Sequence, residues 1–162
     1  MKGKIQTTGL LLALALIFSY VESLLPLPFG IPGMKLGLPN LMTVLLLYRY
    51  GAGEALCVNL LRVVTAGFLF GGMSAILFSL AGALLSFAGM AFFKRTNLLG
   101  IEGVSMAGGI LHNLGQLAVA FLMTGTVQVL SFLAPLLAAG CVTGLAIGAL
   151  AKRLLPYLYH IS

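Results

Sequence analysis

Residues 73–93 read Met-Ser-Ala-Ile-Leu-Phe-Ser-Leu-Ala-Gly-Ala-Leu-Leu-Ser-Phe-Ala-Gly-Met-Ala-Phe-Phe, without one charged side chain, and run straight into Lys94-Arg95. An α-helix needs about 20 such residues to cross the ~30 Å hydrocarbon core of a bilayer. The chain on either side has the same character. Of its 162 residues 60% are hydrophobic and 7% charged, where a soluble domain carries roughly a quarter charged residues. Nine basic and three acidic side chains cannot cover a soluble surface of this size. The sequence therefore predicts an all-α integral membrane protein, one transmembrane domain over residues 1–162, with much of its exterior facing lipid.

Outward from 73–93, six runs are expected to cross: about 8–25, 38–50, 56–70, 73–93, 104–123 and 127–151. Lys2 and Lys4 before the apolar run from Gly9 to Val21 have the look of a signal peptide. No small-residue cleavage site follows, and Glu22, Pro26 and Pro28 come next, so the run reads as a retained first span. The second run is too short for a lipid-facing helix, and the third carries Arg62 in its middle. Polar or irregular structure at that depth is tolerated only where protein or a cavity surrounds it.

The net charge of +6 is spread along the chain with no aromatic-basic groove, so nucleic acid is not an expected partner. With the N-terminus inside, Lys2, Lys4, Arg49, Lys94, Arg95, Lys152 and Arg153 all fall on the cytoplasmic side, as the positive-inside rule requires. Both termini are then cytoplasmic, and the chain is expected in the cytoplasmic membrane. Tyr48, Tyr50, Tyr157 and Tyr159 read as anchors in the aromatic belt. Cys57 and Cys141 lie in apolar runs and read as packing residues.

The first external loop, residues 26–40, reads Pro-Leu-Pro-Phe-Gly-Ile-Pro-Gly-Met-Lys-Leu-Gly-Leu-Pro-Asn. Its prolines stiffen it and its glycines allow unusual turns. It is still rich in Leu, Ile, Phe and Met, and is expected to fold back onto the bundle as a lid. Gly140, Gly144 and Gly148 recur every fourth residue and form a small-residue face on the last helix. Gly9 and Ala13 form a shorter one on the first.

Two polar groupings demand a reason inside a membrane. On the third span Asn59 and Arg62 are three residues apart and share a face. A buried guanidinium must find a carboxylate, carbonyls, water or an anionic ligand. Glu22, in the outer part of the first span, is the expected protein partner, and a bound anion is the rival. On the fifth span Ser105-Met-Ala-Gly-Gly-Ile-Leu-His112-Asn113-Leu-Gly-Gln116 puts His112, Asn113 and Gln116 within one turn. All three can address one cavity, or His112 can bond between helices.

With Asn40 and Lys35 from the loop, these residues form the candidate substrate-binding set. If Arg62 meets an anionic ligand, Arg62→Ala is expected to weaken binding strongly. There is no phosphate-binding Gly-x-x-x-x-Gly-Lys-Ser/Thr loop and no acidic cluster for magnesium. The chain is expected to bind without catalysing, and with no cofactor or metal of its own.

Lys35-Leu-Gly-Leu-Pro-Asn40, Leu45-Leu-Leu-Tyr-Arg-Tyr-Gly51, Asn59-Leu-Leu-Arg62, Phe70-Gly-Gly72 and the 105–116 block together resemble the Gx transporter family. That family is also labelled heptaprenyl diphosphate synthase component I and is similar to the S components of energy-coupling factor (ECF) transporters. The resemblance implies a prokaryotic importer subunit with six helices and an outward-opening pocket under loop lids. It also implies partnership with a transmembrane coupling subunit and two ATPase subunits, which would use the ATP. Gly9 and Ala13 lie where that group carries its coupling stripe, usually of two alanines. The substrate would be a small molecule: anionic, vitamin-like, or an isoprenoid or quinone precursor. The alternative the label implies is a non-catalytic membrane component of a heptaprenyl diphosphate synthase.

Overall fold

A computed structural model describes residues 2–24 and 37–160 of the chain, and they are all helix and turn. Residues 25–36, which hold Lys35 and most of the loop expected to form a lid, lie outside the described residues. The α-helices are α1 (Lys2–Leu24), α2 (Asn40–Arg49), α3 (Ala52–Ala66), α4 (Gly72–Thr96), α5 (Ile101–Thr124) and α6 (Leu133–His160). A π-helical turn, Gly67–Gly71, joins α3 to α4, and a 3-10 turn, Val127–Phe132, precedes α6.

Four helical runs among the described residues are long and apolar enough to cross a membrane: Gly3–Leu24, Ala52–Thr96, Ile101–Thr124 and Val127–Tyr159. The protein is therefore a multi-pass membrane protein. The second run is not one straight rod. Gly71 leaves helical geometry, and Gly72 takes φ 81° and ψ −179°, a conformation open to glycine and strained for other residues. Beyond this break the side chain of Ile76 packs on Gly67. Nine residues of straight helix would hold them about 13 Å apart. The chain therefore bends back between α3 and α4.

Each helix buries a face that its sequence pattern marks. On α1, Thr7, Leu11, Ala15, Ser19 and Glu22 recur at helical spacing and are buried, while Gly9, Ala13, Ile17 and Tyr20 look outward. α2 is different: from Asn40 to Leu47 every residue is buried, because α1, α3, α4, α5 and α6 surround it. Its ten residues span about 15 Å, half a bilayer core.

The α5–α6 pair has the closest backbones. A methyl group on Gly140 would lie 2.7 Å from the Gly109 carbonyl oxygen, and one on Gly144 or Gly148 would lie 2.6 Å from the Cα of Met106 or Glu102. The 140–144–148 stripe is thus filled from within the chain, by α5. Helices α1 to α3 pack together, as do α4 to α6. Among the described residues α3 and α5 do not touch, and α2 crosses the seam.

Element ends differ from the sequence reading in several places, two of them around the last span. The 127–132 stretch, expected to open the last span, winds as a 3-10 turn. The last helix continues past 151 to His160. Lys152 and Arg153 mark a polar boundary for the chain but are good helix formers, so they do not stop it.

One end of the bundle collects the charges. Lys4 pairs with Glu54, Lys152 pairs with Glu102 at 2.6 Å, and Lys94 donates to the Leu47 carbonyl. Arg49 lies over the rings of Tyr50 and Tyr159, 4.9 and 4.6 Å from their centroids, and Lys94 lies over Tyr48. At the opposite end Tyr20 on α1 packs at a tilt against Phe70 of the π turn.

Candidate functional site

The half-length of α2 places its first residues away from the charged end, inside the bundle. Its leading N–H groups, on Asn40, Leu41 and Met42, donate to the carbonyls of Gly37, Leu38 and Pro39. Glu22 of α1 holds the turn just before it. Its Oε1 accepts the backbone N–H of Gly37 at 2.5 Å and of Leu38 at 3.2 Å. Gly37 has φ +85°, which turns these two amides toward the carboxylate. An anion at this position also gains from the helix dipole.

Arg62 on α3 is 3% exposed. Its Nη2 donates to Asn59 Oδ1 at 2.7 Å, one turn back on the same helix. The charge of Glu22 acts attractively on it. The sequence-predicted pairing of Arg62 with Glu22 is thus present as an attraction, while the direct hydrogen bond goes to Asn59. The nitrogen of the Asn59 amide, Nδ2, is buried and has no hydrogen-bond partner among the described residues.

Across the seam, His112 and Gln116 are both buried on α5, with ring Nε2 and amide Nε2 3.1 Å apart. The two side chains share a hydrogen bond across one helical turn. Gly82 of α4 makes room for the ring: a methyl there would lie 2.9 Å from His112 Cε1 and Nδ1. On its other side the ring approaches Gly37, whose methyl position is 3.4 Å from His112 Cδ2. The start of α2 therefore sits between Glu22 of one half and His112 of the other. Asn40, the first residue of α2, is buried beside Gly37.

Asn113 goes elsewhere. Its Nδ2 donates to the Leu136 carbonyl at 2.8 Å, joining α5 to α6. The expectation that His112, Asn113 and Gln116 all face one cavity thus divides: His112 and Gln116 meet at the centre, and Asn113 is a helix-to-helix bond. Adjacent residues are about 100° apart on a helix, which is enough to send neighbours to different partners. Lys35 lies outside the described residues. Gly9 and Ala13 are exposed, and nothing lies within 4 Å of where a Gly9 side chain would begin.

The sequence reading passed over Ser79 and Ser86 on α4. Both are buried, and neither hydroxyl has a partner among the described residues. They flank Gly82 at helical spacing, on the stripe that meets His112. Serine in an apolar helix usually bonds the carbonyl one turn back and carries no message, so only the shared stripe with Gly82 could have marked them.

The result is a buried polar centre of one acid, one guanidinium, one imidazole and several amides, set in an apolar bundle. Such groups can hydrogen-bond and orient a small molecule. Among the described residues no three metal-ligating side chains come together.

A family model described as heptaprenyl diphosphate synthase component I matches residues 11–154. That stretch runs from α1 to α6 and includes every residue of the centre. No curated protein and no solved structure matches the chain.

Proposed function

The chain belongs to the heptaprenyl diphosphate synthase component I family, and we propose that it works as a substrate-binding membrane subunit, the S component of an ECF-type importer. In this reading it has six crossings, both termini are cytoplasmic, and the charged end of the bundle is the cytoplasmic one. It sits in the plasma membrane of a prokaryote. A small molecule of vitamin-like, isoprenoid or quinone-precursor character enters from the other side and binds at the seam. The chain itself carries out no catalysis.

One observation carries this reading: a half-length helix begins inside the bundle, among buried polar side chains from both halves. Burying Glu22, Arg62, His112 and Gln116 costs stability that an apolar core would not lose. Intramembrane ionisable groups mark ligand or ion sites by default. The exposed face of α1 around Gly9 and Ala13 suits close approach of another helix, and it is assigned to the transmembrane coupling subunit, which in turn binds two ATPases.

The family's description favours a second reading, a non-catalytic membrane component of a heptaprenyl diphosphate synthase. Native mass spectrometry of the detergent-purified protein, with extraction of what it carries, separates the two. A stoichiometric small molecule together with co-purifying ATPase subunits supports the importer. An empty protein that co-purifies with a prenyl synthase, without ATPases, supports the synthase component.

A further inference from the structure

Resting on the reading that this chain binds a small molecule, we infer that Asn59 donates a hydrogen bond to a neutral carbonyl group of that ligand. Arg62 is then the positioning residue that holds the Asn59 amide in the donating orientation.

The hydrogen-bond chemistry fixes the amide. A guanidinium has only donors, so the group 2.7 Å from Arg62 Nη2 must be the carbonyl oxygen of Asn59. The NH2 of Asn59 is thereby directed away from Arg62. It is 2% exposed at the residue level and has no hydrogen-bond partner among the described residues. A buried donor left without an acceptor is costly and uncommon in native proteins. Its missing partner must be an acceptor.

The location also suits a ligand. α2 and α3 run antiparallel across the Tyr50–Gly51 turn, with Tyr50 and Gly51 both donating to the Leu46 carbonyl. Asn40 and Arg62 each lie eleven residues from Gly51, so Asn40 stands level with the Asn59–Arg62 turn. Asn59 is therefore on the α1–α3 side of the seam, and α5 does not close on α3 there.

Charge selects the kind of acceptor. Arg62 is already attracted by Glu22, whose carboxylate holds the Gly37 and Leu38 amides. A further anion beside Glu22 would face a like charge in a buried surrounding, where such repulsion is strong. A carbonyl oxygen satisfies the Asn59 donor without that penalty. This reverses the weight the sequence alone gives to an anionic substrate, since Arg62 acts through Asn59.

The test uses two isosteric probes, 2-naphthamide and 2-naphthoate, binding to the purified full chain in nanodiscs. Wild type is expected to bind the amide about tenfold tighter than the carboxylate, the scale of one net hydrogen bond. Asn59→Asp still accepts from Arg62 but has no donor, and should lose about that factor for the amide. Asn59→Ala gives the same readout should the aspartate variant fail to fold. Arg62→Lys, which can still donate to Asn59, should keep most of the affinity. Asn59→Ala with Arg62→Ala together should cost no more than either alone, because both remove one interaction.

Tighter binding of 2-naphthoate, with the preference lost in Arg62→Ala, overturns the inference and makes Arg62 a direct anion contact. Losses that multiply in the double variant overturn it too. If neither probe fits, the molecule the protein carries decides. A neutral carbonyl compound missing from Asn59→Asp supports the inference, and an anion, or a molecule that variant retains, overturns it. A folded chain that carries nothing and binds neither probe removes the binding-subunit reading, and this inference with it.

Discussion

Asn113 Nδ2 on α5 donates to the carbonyl oxygen of Leu136 on α6, 2.8 Å away and 23 residues further along the chain. Both helices also approach through glycines, so this bond lies in the tightest seam of the bundle. Interhelical hydrogen bonds in membrane proteins are worth about 0.6 kcal/mol on average and up to about 1.7. Asn113→Ala is expected to destabilise the fold by about 1 kcal/mol while leaving ligand affinity nearly unchanged. Unfolding in mixed micelles and ligand retention measure the two effects separately. A large loss of ligand with unchanged stability would return Asn113 to the binding set.

Glu22 is the acceptor on which the start of α2 depends. Glu22→Ala leaves the Gly37 and Leu38 amides without it and takes from Arg62 its nearby negative charge. Breaking a buried charged pair from one side costs about 3–5 kcal/mol. Glu22→Gln keeps an oxygen for the amides and should lose less. The ordering wild type, Gln, Ala in thermal stability is the expected outcome. Equal stability of the two variants would show that the amides do not need this oxygen.

Gly144→Leu should fail where Gly9→Leu succeeds. A side chain at 144 meets the backbone of α5 at Met106 and Ser105, which cannot yield without parting the helices. Overpacking costs about 1–3 kcal/mol or more, so aggregation or poor yield is expected. At Gly9 there is open space. Gly9→Leu should fold normally and bind ligand, yet no longer co-purify with ATPase subunits. Full retention of those subunits would exclude the α1 face as the docking surface.

The proposed orientation can be read with a membrane-impermeant maleimide on single cysteines in a Cys57→Ala, Cys141→Ala background. Asn97, in the exposed turn after Lys94 and Arg95, should label only in permeabilised cells as Asn97→Cys. Thr126, exposed in the turn between α5 and the 3-10 segment, should label in intact cells as Thr126→Cys. The opposite pattern would invert the topology.

Much of this architecture can be read from residue order. The uncharged run at 73–93 settles the membrane class, and the glycines at 140, 144 and 148 forecast a close helix partner. What remained hidden depends on direction in space. His112 and Asn113 are neighbours in sequence, but the rotation between them sends one to Gly82 and the other to Leu136. Nor does spacing reveal that Arg62 spends its hydrogen bond on Asn59, since a guanidinium in an apolar helix has several possible acceptors. Ser79 and Ser86 stayed silent because serine costs little in a membrane helix.

The brevity of α2 also bears on how the protein is made. Ten residues, Asn40, Thr43 and Arg49 among them, are too few to be held in the bilayer as an independent span during synthesis, where about 20 apolar ones are needed. The turn that leads into it is held by Glu22 of α1, and its sides are covered by α1 and by α3 to α6. α2 must therefore take its place late, after residues far downstream have entered the membrane. Truncating the nascent chain before α6 should leave this segment accessible to protease, and the complete chain should protect it.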